Sequence, residues 1–440
     1  MKLVNSKKLY KLSKSILAGP STISKGVDQF AYGISPYAID YGNGAYTWDV
    51  DGNRYLDTIM SLGAVILGHA NSVVEQSIKT QLKKGTTFSL ASRLEVEVAE
   101  MLCDRIPCAD MVRFGKNGND VTSAAVRLSR HYSNSDHVLF CGYHGWQDWY
   151  ASQTSMNSGV PKEIKKFSHR FEYNNLKSLE KLLIKYKGNT ACVILEPVLK
   201  IKPVCNKLCQ DCKTLGKCKG FLQGVRKLAD KFNVILIFDE VVTGFRFHKG
   251  GYQALCNVTP DLACFSKAMA NGLPLSALVG KKEIMKKSLE IFYSLTFAGE
   301  TLSLAAAKAV LQFIDNNKVI ESIQKHGLQF INGLNELVNK KKLNNVLQIM
   351  GFPSRNFIIF KNSQNAIAEN IKTYWIQQLV RKGILNNGTH LFSFAHKGKE
   401  IKKLLNVYDQ ILDEIKDTIN RGNLSELLMC PPVKQAARDF

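Results

Sequence analysis

Lys267 stands alone in the segment Pro260-Asp261-Leu262-Ala263-Cys264-Phe265-Ser266-Lys267-Ala268-Met269-Ala270-Asn271-Gly272-Leu273-Pro274, with Phe265, Ala268, Met269 and Ala270 around it. Elsewhere lysines recur as polar pairs such as Lys83-Lys84 and Lys286-Lys287. An amine among apolar neighbours is driven toward its neutral form, and a neutral amine adds to carbonyl groups. Upstream, Asp239 closes the apolar run Val234-Ile235-Leu236-Ile237-Phe238 and opens Glu240-Val241-Val242-Thr243-Gly244-Phe245-Arg246. A carboxylate at the end of a buried strand is costly unless a cation stands beside it, so its position argues for a charged ligand. Two blander readings stay open at this point. Lys267 can be an exposed lysine, and Asp239 can be a helix N-cap or a metal ligand.

One cofactor uses both groups at once. Pyridoxal phosphate needs an amine for its aldehyde, an anion beside its pyridine nitrogen, a partner on the ring face and donors for its phosphate. Lys267 is the candidate for the Schiff base and for the proton transfers that follow. Asp239 would keep the ring nitrogen protonated, and Val241, two residues on, would press on one ring face if the strand continued. The turn Gly115-Lys116-Asn117-Gly118-Asn119-Asp120 leads into a helical pattern from Val121. Free backbone amides at such a helix start bind anions, although most Gly-Asn turns merely cap a helix.

Positioning these groups requires a large α/β scaffold. Runs of about five apolar residues (137–140, 191–195, 234–238 and 276–280) alternate with helical patterns, the mark of a sheet covered on both faces. Residues 71–82 predict a helix with Val73, Val74, Ile78 and Leu82 on one face; residues 95–106 repeat this with Val96, Val98, Ala99 and Leu102. Tyr46 to Asp57 reads as a β-hairpin around Asp51-Gly52-Asn53. A long helix is expected through residues 305–314, a strand at 356–360 and a helix at 401–419. We therefore expect a cofactor-binding domain over 71–310 with a cysteine-rich insertion at 203–220. A small α+β domain would be assembled from residues 1–70 and 311–440.

In their order, Tyr46 to Asp57, Gly142-Tyr143-His144-Gly145, Glu196-Pro197, Asp239 to Arg246 and Pro260 to Pro274 resemble the class III aminotransferases, and among them the glutamate-1-semialdehyde aminotransferase-like branch. The resemblance runs from about Gly19 into the C-terminal lobe. It implies the fold type I architecture, with a mainly parallel central sheet between helices, and a homodimer with active sites shared between chains. It further implies that Tyr143 stacks on the cofactor ring with His144 as its neighbour, and that Thr296 reaches the partner's phosphate. The family's Ser-Gly-Thr triplet is Asn117-Gly118-Asn119 here, which keeps a backbone cradle but removes side-chain hydroxyls. In the aminomutases a serine and an arginine hold the substrate carboxylate; Thr22 and Lys25 fall there, and lysine lacks arginine's fork. Their C-terminal glutamate site appears as Asn386-Asn387-Gly388-Thr389-His390, without a carboxylate. Both departures lean away from the aminomutase. They favour transfer of an amino group through a pyridoxamine form to a small polar aldehyde or ketone, sugar-derived as in relatives of surface-polysaccharide biosynthesis. Asn387 and His390 would then meet hydroxyls.

Composition narrows the remainder. A chain of 440 residues with 45% hydrophobic content suits a two-lobed globular enzyme. The formal charge of +22 raises polyanion binding as a competing, non-catalytic function, but scattered lysine pairs read as solvated faces, and nucleic acid is not the expected partner. No apolar run suits a membrane span and no export signal is read, so a cytoplasmic enzyme with reduced thiols is expected. Of eleven cysteines, Cys205, Cys209, Cys212 and Cys218 cluster as Cys-x3-Cys-x2-Cys-x5-Cys. Structural zinc ranks first for that spacing, an iron–sulfur cluster second and free thiols third.

Overall fold

The computed structural model describes residues 2–204 and 220–433. The cysteine quartet lies outside the described residues. The chain forms two compact units, one made of Met1–Asn71 with Glu321–Ala437 and the other of Ser72–Ile320.

In the first unit, β1 (Ile39–Asn43), β2 (Tyr46–Asp49) and β3 (Arg54–Asp57) form an antiparallel meander. The turn after β2 places Gly52 at φ +81°, which glycine adopts without strain.

The second unit is built on a seven-stranded sheet of β4 (Met111–Gly115), β5 (His137–Cys141), β6 (Ser168–Arg170), β7 (Thr190–Leu195), β8 (Ile235–Asp239), β9 (Leu262–Phe265) and β10 (Ser276–Gly280). Its order is β4-β10-β9-β8-β7-β5-β6, and β10 alone runs antiparallel to its neighbours. Every residue of β7, β8, β9 and β10 is buried, as expected for strands covered on both faces. The helix Gly118–Ser133 buries Val121, Ala124, Ala125 and Leu128 in a core shared with Ile237, Cys264 and Leu278.

The first unit is completed by β11 (Leu347–Phe352), β12 (Arg355–Phe360), β13 (Ile384–Leu385) and β14 (Thr389–His390). A C-terminal strand closes the N-terminal meander, because β13 pairs in parallel with β3. No helix among the described residues is long and apolar enough to cross a membrane.

Two helices bury less than their patterns predict. In Ser72–Leu82 only Val74 is buried, whereas Val73 is 44% and Leu82 57% exposed; in Arg93–Cys103, Val96 is 67% exposed. Periodicity identifies a helix's apolar side, but whether this chain or another covers that side is a tertiary matter.

A buried anion joins β8 to β9. Asp261 Oδ2 accepts from the Leu236 amide and from Arg226 Nη1, both at 2.8 Å, while Lys281 Nζ lies 2.6 Å from Oδ1. Burial alone would raise its pKa, but the Leu236 amide, Lys281 and Arg226 together hold it below the usual carboxylate value. Asp261→Ala is expected to destabilise the protein by about 1–2 kcal/mol at neutral pH, since it leaves the Leu236 amide without its acceptor and takes one partner from Arg226, which keeps Asp230, and from the partly exposed Lys281. A depressed folded pKa stabilises above the unfolded value of about 3.9 and loses that contribution as pH falls through the folded value. The difference between wild type and variant in urea unfolding should therefore hold from pH 7 down to about pH 5 and shrink in stronger acid. Identical unfolding curves at pH 7 would dismiss this role.

Candidate active site

Asp239 is the last residue of β8 and lies opposite Cys264 of β9. Lys267 follows three residues after Cys264, so both side chains leave neighbouring parallel strands at the sheet edge where α/β folds bind ligands. Lys267 has φ +42°. A non-glycine residue in this left-handed region costs about 1–2 kcal/mol, strain that tends to persist at functional positions. The backbone is held there by the Met269 amide on the Ser266 carbonyl and by Ser266 Oγ on the Leu275 carbonyl.

Asp239 is only 3% exposed. Its Oδ1 accepts from the Val241 amide at 3.1 Å, and its Oδ2 lies 2.8 Å from His144 Nδ1. The other ring nitrogen, Nε2, is 3.1 Å from the Cys141 carbonyl. Each ring nitrogen thus faces an oxygen, which fixes the orientation of the ring against the buried carboxyl group. Trp149 lies parallel to the imidazole at 6.0 Å, and Thr122 Oγ1 donates to the His144 carbonyl. His144, expected as a neighbour on the cofactor ring, lies against Asp239. Sequence spacing hid this because β7 separates β5 from β8 and the two residues are 95 apart. Gly142 and Gly145, at φ +105° and +114°, carry the loop across. A Cβ on Gly145 would meet Asn119 Cβ at 2.5 Å, so that crossing needs glycine.

Tyr143 is fixed from two sides. Its amide donates to Glu196 Oε1 at 3.1 Å, and its ring meets Tyr150 edge-on at 5.5 Å. Val241 lies in a turn rather than a continued strand, and its side chain presses on the start of the helix Gly118–Ser133: a Cβ on Gly118 would lie 2.8 Å from Val241 Cγ1. Asp120 Oδ2 accepts from the amides of Lys116 and Asn117 at 3.1 and 2.7 Å. The next two amides, of Gly118 and Asn119, begin the helix with no acceptor among the described residues. A phosphate accepts from such a pair. These open amides, the anion at Asp239 and the amine of Lys267 fit pyridoxal phosphate. Sequence reasoning passed over Ser276, whose buried hydroxyl has no partner and lies beside Gly115. Lys116 Nζ meets Glu300 at 3.0 Å, tying the turn to the segment bearing Thr296, which is itself exposed.

The residues expected at the substrate belong to the first unit. Lys25 Nζ lies 3.4 Å from Ser61 Oγ, and Thr22 accepts the Lys25 amide through its carbonyl. Asn387 keeps a buried side-chain oxygen without a partner. His390 is wholly buried among Phe330, Phe392 and Tyr408, with Nε2 2.7 Å from the Tyr408 hydroxyl. Burial pushes its pKa down to about 3.

Comparison with known proteins agrees with this geometry. The family described as Aminotransferase class-III matches residues 29–396. A 3-aminobutyryl-CoA aminotransferase of Cloacimonas acidaminovorans is 29% identical, with 94% of this chain and 98% of that protein covered. A glutamate-1-semialdehyde 2,1-aminomutase of Methanosphaera stadtmanae is 32% identical over 94% and 100% of the two chains. The structure of the FumI protein of Sphingopyxis sp. MTA144, solved in its PLP internal aldimine form, superposes with a TM-score of 0.85 at 23% identity, covering 96% of this chain and 99% of that one. With the sheet, the Asp239–His144 contact at the end of β8 and these matches together, the chain belongs to the class III aminotransferases, pyridoxal-phosphate-dependent enzymes of fold type I.

Proposed function

We propose that this enzyme transfers an amino group to a small polar aldehyde or ketone, sugar-derived in the reading we favour, with Lys267 as the cofactor-anchoring and proton-moving residue. The observation that carries the catalytic assignment is the buried Asp239–His144 pair at the end of β8, next to the strand that delivers Lys267. Bound pyridoxal phosphate supplies an electron-withdrawing ring that stabilises negative charge on the substrate carbon. Asp239 would face the ring nitrogen of the cofactor, and His144 would keep Asp239 in place. The amides of Gly118 and Asn119 would hold the phosphate, while Tyr143 and Val241 would confine the ring. The Lys267 amine would anchor the cofactor and serve as the group that takes up and returns the proton of the substrate carbon.

Substrate choice rests on Lys25, a point charge rather than a fork, and on the absence of a carboxylate at residues 386–390. A second reading, the 2,1-aminomutase, is favoured by relatives of that name at 32% identity. The two differ in mass balance. Mixing the cofactor-loaded enzyme with a panel of amino donors and aldehydes should give a keto product from the donor and an aminated acceptor. An isomer of the starting compound, formed with no lasting need for a donor, would instead establish the aminomutase. Borohydride reduction should leave the cofactor's mass on the Lys267 peptide; an unmodified peptide from coloured protein would remove the whole assignment.

A homodimer fits the apolar side chains left uncovered on the second unit. Leu90, Leu289, Phe292 and Phe297 are 85%, 85%, 84% and 59% exposed, and Thr296 lies beside Phe297. Large apolar side chains this exposed suit burial against a second chain. Light scattering should read twice the chain mass of 49.2 kDa, and Phe292→Glu should shift the population toward monomer; a wild-type monomer would reject the shared site.

A further inference from the structure

The first unit carries an open cavity of about 800 Å³, of whose lining residues the reading above uses only Lys25. The N-terminal helix Val4–Ile16 forms one wall. Along it Lys7, Lys11 and Lys14 recur on one stripe, and all three line the cavity. A helix stripe turned toward a cavity wall ordinarily carries apolar side chains. Here Leu9, Leu12 and Ile16 are exposed, and the three lysines, exposed as well, border the open space. None of the three lysines has a carboxylate partner among the described residues. The acid on the wall is Asp57, and its charge is already engaged by the amides of Ile59 and Met60 and by His69 Nε2. The cavity is therefore cationic.

Two further features indicate what it receives. Thr47 is 3% exposed and lines the cavity, yet its hydroxyl has no hydrogen-bond partner among the described residues; the buried hydroxyl of Ser35, also on the wall, has none there either. Buried hydroxyls are ordinarily paired, so two orphans on one wall point to a ligand that pairs them. The lysines also stand beside flat rings. Tyr10 packs against Tyr32 and Tyr37 at 5.5 and 5.1 Å, and Lys14 Nζ sits 4.7 Å over the Tyr10 ring.

We infer that this cavity binds a nucleoside diphosphate group. Its phosphates meet Lys7, Lys11 and Lys14, its base packs on the tyrosine cluster, and its hydroxyl or phosphate oxygens pair with Thr47 and Ser35. The volume suits a ligand of that size. Binding itself is independent of the catalytic assignment.

The test is calorimetric titration of the full chain, loaded with pyridoxal phosphate, against ADP, UDP and inorganic pyrophosphate. At least one nucleotide should bind with a Kd below about 1 mM. Pyrophosphate should bind roughly tenfold more weakly, since it lacks the stacking ring. Combined Lys7→Gln, Lys11→Gln and Lys14→Gln substitutions should weaken nucleotide binding by about tenfold. Thr47→Val, which keeps the side-chain shape, should weaken it by about threefold. A preference for ADP or for UDP identifies the base and supports the assignment either way. It is overturned if neither nucleotide binds, if the lysine variant binds as tightly as wild type, or if pyrophosphate matches both nucleotides. Should nucleotide binding be found while borohydride trapping at Lys267 fails, the aminotransferase reading falls and this site stands; the reverse pattern removes only this site.

Discussion

Lys267→Ala is expected to reduce turnover by about 10⁴-fold while leaving a folded protein that still takes up the cofactor non-covalently. The alanine removes the anchoring amine and the proton carrier together, whereas the phosphate amides of Gly118 and Asn119 and the anion of Asp239 remain. A soluble amine should recover only a small part of the rate, because an amine held by the protein acts at an effective concentration of about 10⁵ M or higher. Single-turnover mixing with a reactive amino donor, followed by product mass, reads the effect directly. Turnover within tenfold of wild type, as a rough bound, would mean that another group carries the proton.

Asp239→Asn should cost about 10³-fold in kcat/KM with the fold retained. Asparagine keeps the shape and can still face His144, but it supplies no charge to hold a proton on the ring nitrogen. A charged partner accounts for effects of this size, and a neutral hydrogen bond does not. Urea unfolding of the cofactor-free variant, together with cofactor content, separates this from collapse of the site. If the rate loss disappears once cofactor occupancy is matched to wild type, the carboxylate serves binding alone. The assigned charge effect would then be wrong.

Much of the scaffold was legible because the relevant forces are local or periodic. The hairpin from Tyr46 to Asp57 followed from Asp51-Gly52-Asn53 between β-formers, and the observed register pairs Tyr46 with Leu56 and Trp48 with Arg54. The apolar runs at β5, β7, β8 and β10 read as covered strands because both faces demand hydrophobic residues. Val241 was read on strand periodicity, but the strand ends at Asp239 and a turn sets the side chain instead. His390 looked polar and available, but its neighbours Phe330 and Tyr408 come from helices distant in sequence, and they enclose it.

By itself, then, the order of residues determined the alternation of strands and helices, the lone amine at Lys267 and the acid at Asp239, because backbone preferences and the cost of burying charge act on short segments. Only the tertiary structure decided that His144 supports Asp239 across an intervening strand, that the amides of Gly118 and Asn119 stay open, and that three lysines of the N-terminal helix face a cavity with unpaired hydroxyls. Such relations depend on which distant elements pack together, and packing is settled by the shape and charge of whole surfaces rather than by any single stretch of chain.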